Sequence, residues 1–157
     1  MSDPAKPIRP DLSPFAGDWR GTWKTWIEPD VLHDESPIEA VVTPLIEGRD
    51  ITVVYTASIG ADAVEGFVLA GPLQHGGVHV AWVDSWHTSG LVQAGDGHVT
   101  PDGFAASVAY SYDGQAWTWS SEYSVDSNRL VIRHYNEGPG CPRYLGVEAV
   151  LERITAS

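Results

Sequence analysis

FAGDWRGTWKTWIEP, residues 15–29, is the stretch whose reading decides the fold. Three of the seven tryptophans, Trp19, Trp23 and Trp26, lie in it, with Gly17 and Gly21 beside them. On a strand, residues two and four apart share a face, so Gly17, Trp19, Gly21 and Trp23 point the same way. Glycines on that face let another strand or ring approach closely. We read Trp19–Ile27 as the first strand of a closed β-barrel. Trp19 is expected to plug the narrow end, and Trp23 to reach toward the interior.

Working outward, the chain continues as short strands with turn signals. A link over 28–36 is too short for a pair of lid helices. Strands follow at 38–47 and 51–59. In the latter, Ile51, Val53, Tyr55, Ala57 and Ile59 alternate against Thr52, Thr56 and Ser58, a clear period of two. Further strands are expected at 63–70, 78–86 and, briefly, 90–94, with Gly95-Asp96-Gly97 as a turn. Pro101-Asp102-Gly103 and Asp113-Gly114 are turn signals with known backbone causes. They bound strands at 104–112 and 116–125. A strand at 130–135 precedes a Gly- and Pro-rich loop, 136–142. The last segment, 144–154, fits a helical stripe or a strand, and the need to pair the first strand decides for strand. Nine or ten short strands at this spacing predict an all-β domain. The architecture expected is a single closed or nearly closed antiparallel up-and-down barrel of eight to ten strands. Residues 1–14, with four prolines, read as an irregular arm before the barrel domain, 15–157.

Composition narrows the function classes. Net charge is −12, and binding to nucleic acid or to anionic membrane needs clustered Lys and Arg. The nine basic residues are scattered. A single cysteine, Cys141, excludes an intrachain disulfide. The opening MSDPAKPIRPDLSP has no apolar signal core and no run is long enough to span a membrane, so a cytoplasmic address is expected. Seven Trp and six Tyr are many for this length. Each large aromatic buries about 150–250 Å², which at about 25 cal/mol/Å² is about 4–6 kcal/mol of gross burial. Such a set makes either a firm core or a ring-lined cavity.

The ordered pieces GDWRGTW, VDSWH (83–87), the Gly-x-x-Trp-x-Trp stretch 114–119, RHYNEGPG and GVEAVLER carry a resemblance. The first resembles the Gly-x-Trp opening of the calycin superfamily, the lipocalin and fatty-acid-binding-protein barrels. Over roughly residues 14–154 the chain is similar to the bacterial DUF1579 group of calycin-like proteins. The resemblance implies a barrel and carries no settled activity with it.

If the apolar parity faces inward, Trp23, Tyr55, Trp82, Tyr110, Tyr112, Trp117, Trp119 and Tyr123 line the interior. A barrel of this size holds side chains or one small ligand, and rings with a few polar tips suit an apolar or aromatic molecule. The ligand-binding candidates are Trp23, Tyr55, Trp82, Asp84, Tyr110, Trp117, Trp119 and His134. Asp84 shares the face of Trp82, and His87 falls on the opposite parity unless the strand ends or bulges near Ser85. Asp84, His87 and His134 are the candidates for acid–base chemistry. The plainer reading is a hydrogen-bonded structural Asp, an exposed His87 and a satisfied His134. No metal site is expected: His75 and His79 flank Gly-Gly, and no HExxH or CxxC occurs. No cofactor is expected either. Haem is the one alternative, since nitrobindin-type relatives hold haem with a histidine, although the first strand departs from their glycine-rich opening. Binding of a small apolar or aromatic molecule is the leading expectation. An acid–base enzyme (isomerase, cyclase or hydrolase) and a dimerising module without ligand are the alternatives.

Overall fold

The computed structural model describes residues 10–74 and 76–155. Ten strands close into one antiparallel barrel: β1 (Gly17–Glu28), β2 (Val31–Leu45), β3 (Asp50–Ile59), β4 (Asp62–Pro72), β5 (Val78–Asp84), β6 (Gln93–Thr100), β7 (Gly103–Tyr112), β8 (Gln115–Asp126), β9 (Arg129–Gly138) and β10 (Cys141–Arg153). Each strand pairs with its neighbours in sequence, and β1 pairs with β10. The up-and-down barrel expected from the sequence is therefore the fold. The last segment is a strand, running opposite β1 with Trp19 across from Arg153 and Trp23 across from Ala149. Gly21 sits where an added Cβ would strike the backbone of Val150 and Leu151, so a side chain there would push β10 away.

Period-two alternation builds the interior. Ile51, Val53, Tyr55 and Ile59 of β3, Val64, Val68 and Ala70 of β4, and Val78, Val80 and Trp82 of β5 are buried. Their opposite faces are mostly exposed.

The two barrel ends differ. At the lower end a 3-10 turn, Ser13–Phe15, tucks beneath β1. Leu12 is buried and its N–H donates to Gly48 O at 2.9 Å. The Trp19 indole N–H donates to Phe15 O at 2.9 Å. Phe15 packs on Phe104, which stacks on Tyr123. The Arg153 guanidinium lies 4.2 Å from the Trp19 ring centre and donates to the carbonyls of Pro14, Ala16 and Ser127. Trp19 therefore seals this end, as its sequence position suggested. Of the N-terminal arm, residues 1–9 lie outside the described residues, and Leu12 is docked on the body.

Several boundaries differ from the sequence reading. Most of the 28–36 link is strand: only Pro29-Asp30 turns, Asp30 taking φ 60°, and β2 begins at Val31. Gly95-Asp96-Gly97 is no turn but the middle of β6. Its glycines lie in strand because a Cβ at either would meet the β7 backbone. The 136–142 loop shrinks to Pro139-Gly140, since β9 runs to Gly138 and β10 begins at Cys141. β5 ends at Asp84, two residues early, for a reason that belongs to the site. Among the described residues no helix is long and apolar enough to cross a membrane. No group of three or more His, Cys, Asp or Glu there is arranged to hold a metal ion. His75 lies outside the described residues.

Candidate functional site

The upper end holds a cavity of about 620 Å³. It is bordered by the end of β1 (Thr25, Trp26, Ile27), the β5–β6 connection (Trp86, His87, Thr88, Leu91) and the upper part of β7 (Val108, Tyr110, Ser111, Tyr112). Trp82, Gln93, Trp119, Asn136 and Tyr144 complete it. Seven Trp and Tyr rings among them belong to Trp26, Trp82, Trp86, Tyr110, Tyr112, Trp119 and Tyr144. Trp82 and Trp119 form part of its inner wall, stacked with ring centres 5.5 Å apart and planes 7° off parallel.

Beside this wall Asp84 organises a polar cluster. An Asp at a strand end readily takes the backbone N–H groups that follow it and bends the chain. Here Oδ1 accepts the N–H groups of Trp86 (3.0 Å), His87 (2.5 Å) and Thr88 (3.1 Å). The Thr88 hydroxyl reinforces the turn, donating to Asp84 O at 2.8 Å and lying 2.9 Å from the Asp84 N–H as its acceptor. This turn ends β5 and swings His87 inward. The strand ends just before Ser85, the exception under which the opposite parity of His87 would not apply. The exposed His87 of the plainer reading is not found: its side chain is only 9% exposed and borders the cavity. Trp86, expected on the β5 face of Trp82, lies in the same turn and reaches the cavity from there.

The second carboxylate oxygen, Oδ2, lies 2.7 Å from His87 Nδ1 and accepts the Tyr55 hydroxyl at 3.1 Å. Tyr55 in turn accepts the Trp82 indole N–H at 3.0 Å. The Tyr55 ring fits because its cross-strand partner is Gly66, where a Cβ would overlap the ring. Trp23 stacks on the other side of Tyr55 at 5.4 Å. Burial pushes the Asp84 carboxyl up, but bonds from His87, Thr88 and Tyr55 and attraction to His87 outweigh it and hold it below its ordinary value. Burial and then the Asp84 charge push the Tyr55 phenol well above its own.

His134 is buried on β9. Its Nδ1 is 2.7 Å from Ser121 Oγ, and its ring packs on Trp82 at 5.5 Å and Trp119 at 5.3 Å. Burial, followed by repulsion from His87, pushes its pKa down to about 3. It does not border the cavity, so of the sequence's ligand-binding candidates it stands behind the wall rather than on it.

Of the sequence candidates, the structure brings Trp82, His87, Tyr110 and Trp119 to the cavity surface. Asp84, Tyr55 and Trp23 stand one layer behind, supporting that surface. Trp117 packs over Gly138 and beside Tyr110, away from the cavity. Tyr112 was expected inside and is 68% exposed, because β7 ends there and the ring stands at the cavity mouth. Trp26 was missed. It lies opposite in parity to Trp23, but the β1–β2 register slips on both sides of it, and this bulged end brings Thr25 and Trp26 to the cavity together. Asn136 was missed because the strand carrying it was read as ending at 135. Tyr144 was missed because the β9–β10 register shifts on both sides of Tyr144–Leu145 and upsets the simple alternation. Arg133 and Glu148 form a cross-strand pair at 2.9 Å on the outside.

Among solved structures the chain is similar to the crystal structure of Rv2717c from M. tuberculosis, at 19% identity and a TM-score of 0.62, over 92% of this chain and 95% of that one. It is also similar to the S-type phycobiliprotein lyase CPES from Guillardia theta, at 9% identity and a TM-score of 0.53, over 93% and 92%. At these identities the likeness is one of fold. No curated protein matches the sequence. The model of the family described as "Protein of unknown function (DUF1579)" matches residues 5–153, and the chain belongs to that family.

Proposed function

We propose that the protein binds a small apolar or aromatic molecule in the upper cavity. The observation that carries this reading is the wall: seven Trp and Tyr rings border a space of about 620 Å³. Pockets of roughly 300–1,000 Å³ with apolar walls and a few polar groups are the usual receptacles for small molecules. The likeness in fold to a phycobiliprotein lyase supports a small-molecule role for the barrel interior. Native mass spectrometry of protein from its own host tests the proposal. Release of one small apolar or aromatic species on denaturation is the expected result. A bare chain that also fails to bind a neutral planar probe, 7-methoxycoumarin, contradicts it.

A second reading, an acid–base enzyme on the same barrel, is favoured by one observation, the Asp84–His87 pair at the cavity wall. Turnover lost in His87→Phe at unchanged melting temperature supports it.

A further inference from the structure

The cavity carries one polar device that apolar binding alone does not use. Asp84 Oδ1 is taken by three backbone N–H groups, and Oδ2 by Tyr55 and His87. A carboxylate so engaged is an acceptor only, so the proton between Asp84 and His87 belongs on Nδ1. In the neutral imidazole this leaves Nε2 as a hydrogen-bond acceptor. Among the described residues Nε2 has no partner, and His87 borders the cavity. Its ring lies 4.8 Å from Trp86, 5.5 Å from Trp119 and 5.9 Å from Trp82, centre to centre.

The indole N–H of Trp119 is buried without a partner, but it is a donor. The other possible acceptors of the wall are engaged or stand nearer water. Thr25 Oγ1 accepts the Trp23 indole N–H, and Thr88 Oγ1 is bound to the Asp84 backbone. Tyr110 donates to Asn136 Oδ1, whose Nδ2 donates to Tyr144. Ser111 is exposed, and Gln93 is partly so. The acceptor left for a ligand is therefore an imidazole nitrogen, backed by a buried carboxylate and ringed by indoles. Such an acceptor pairs best with an acidic O–H, and the surrounding rings with a flat π-system.

Resting on the binding reading above, we propose that the cavity selects a hydroxyaromatic ligand of the phenol or enol class. Its hydroxyl donates to His87 Nε2 while its ring lies against Trp82, Trp86 and Trp119. Asp84 is a positioning residue in this scheme, fixing the tautomer and orientation of His87.

Two probes of one skeleton test the assignment: 7-hydroxycoumarin and 7-methoxycoumarin, titrated into the whole chain by calorimetry. The methyl group adds apolar area, so burial alone makes the methoxy compound the tighter binder. The hydroxy compound is expected to bind about tenfold or more tighter, as a hydrogen bond to a charge-backed partner provides. In His87→Phe, which keeps a ring in place, the ratio of the two affinities should fall to one or below. Equal affinities in the wild type, or a tighter methoxy compound, overturn this inference and leave the cavity reading standing. Binding of neither probe overturns this inference, and together with a bare chain in native mass spectrometry it overturns the cavity reading as well.

Discussion

The ring of Tyr55 lies over Gly66, its paired neighbour across β3 and β4, in the space a Cβ would fill. This contact lets the Tyr55 hydroxyl join Trp82 Nε1 to Asp84 Oδ2. Gly66→Ala is expected to force the ring out of place and to destabilise the barrel by about 1–3 kcal/mol, the usual cost of overpacking a core. Urea denaturation measures it. The 7-hydroxycoumarin preference should fall as well, because Asp84 loses a partner and His87 its fixed position.

Trp82 and Trp119 are stacked neighbours with different indole N–H groups. That of Trp82 is bonded to Tyr55, whereas that of Trp119 is buried without a partner. Both indole-to-phenyl changes remove similar volume. Trp82→Phe also breaks a bond and leaves Tyr55 short of a donor, whereas Trp119→Phe removes an unsatisfied group. Trp82→Phe should therefore cost about 1–2 kcal/mol more than Trp119→Phe. Parallel urea titrations read the difference.

His134 sets an acid limit on stability. Its folded pKa, about 3, lies below the ordinary value of 6.5. The unfolded chain therefore takes up a proton first. The His134 contribution is intact above about pH 6.5 and is lost progressively as pH falls toward 3. At pH 4.5 the loss is about 2–3 kcal/mol, at about 1.4 kcal/mol per pH unit. Asp84, held below its ordinary value, acts in the same direction only at lower pH, as pH falls through its folded value. His134→Gln should flatten the urea midpoint between pH 7 and 4.5, and an unchanged slope would contradict the assignment.

How far these features were legible in the sequence depends on where along a strand they lie. Alternation placed Ile51, Val53, Tyr55, Trp82, Trp119 and His134 inside, because a strand's middle obeys a period of two. It failed at strand ends, where the cavity lies. Bulging at Thr25–Trp26 changed which residues face in, and the turn capped by Asp84 brought His87 inward. A signal for that turn was present in Asp-Ser-Trp-His-Thr, since Asp and Thr both bind local backbone N–H or C=O groups. Gly95 and Gly97 misled for the opposite reason: glycine serves a close strand crossing as readily as a turn.

Asp84 should matter to the fold and His87 to the ligand. Asp84→Asn keeps the shape but weakens bonds to three backbone N–H groups and replaces the acceptor facing His87 Nδ1 with one that cannot remain charged. A loss of about 2–4 kcal/mol is expected, the range for breaking a buried charge-assisted network. His87→Phe should cost clearly less and melt close to the wild type. Thermal melts of the two variants separate these roles, and equal losses would contradict the division.

The seven indole N–H resonances give the most direct test of the central claim, that the upper cavity is the binding site. In a two-dimensional ¹H–¹⁵N titration with 7-hydroxycoumarin, the signals of Trp26, Trp82, Trp86 and Trp119 are expected to shift and saturate together. That of Trp19, sealed at the lower end against Phe15 and Arg153, should stay in place. A saturable shift at Trp19 with the cavity tryptophans unmoved, or no saturable shift at any indole, would contradict the claim.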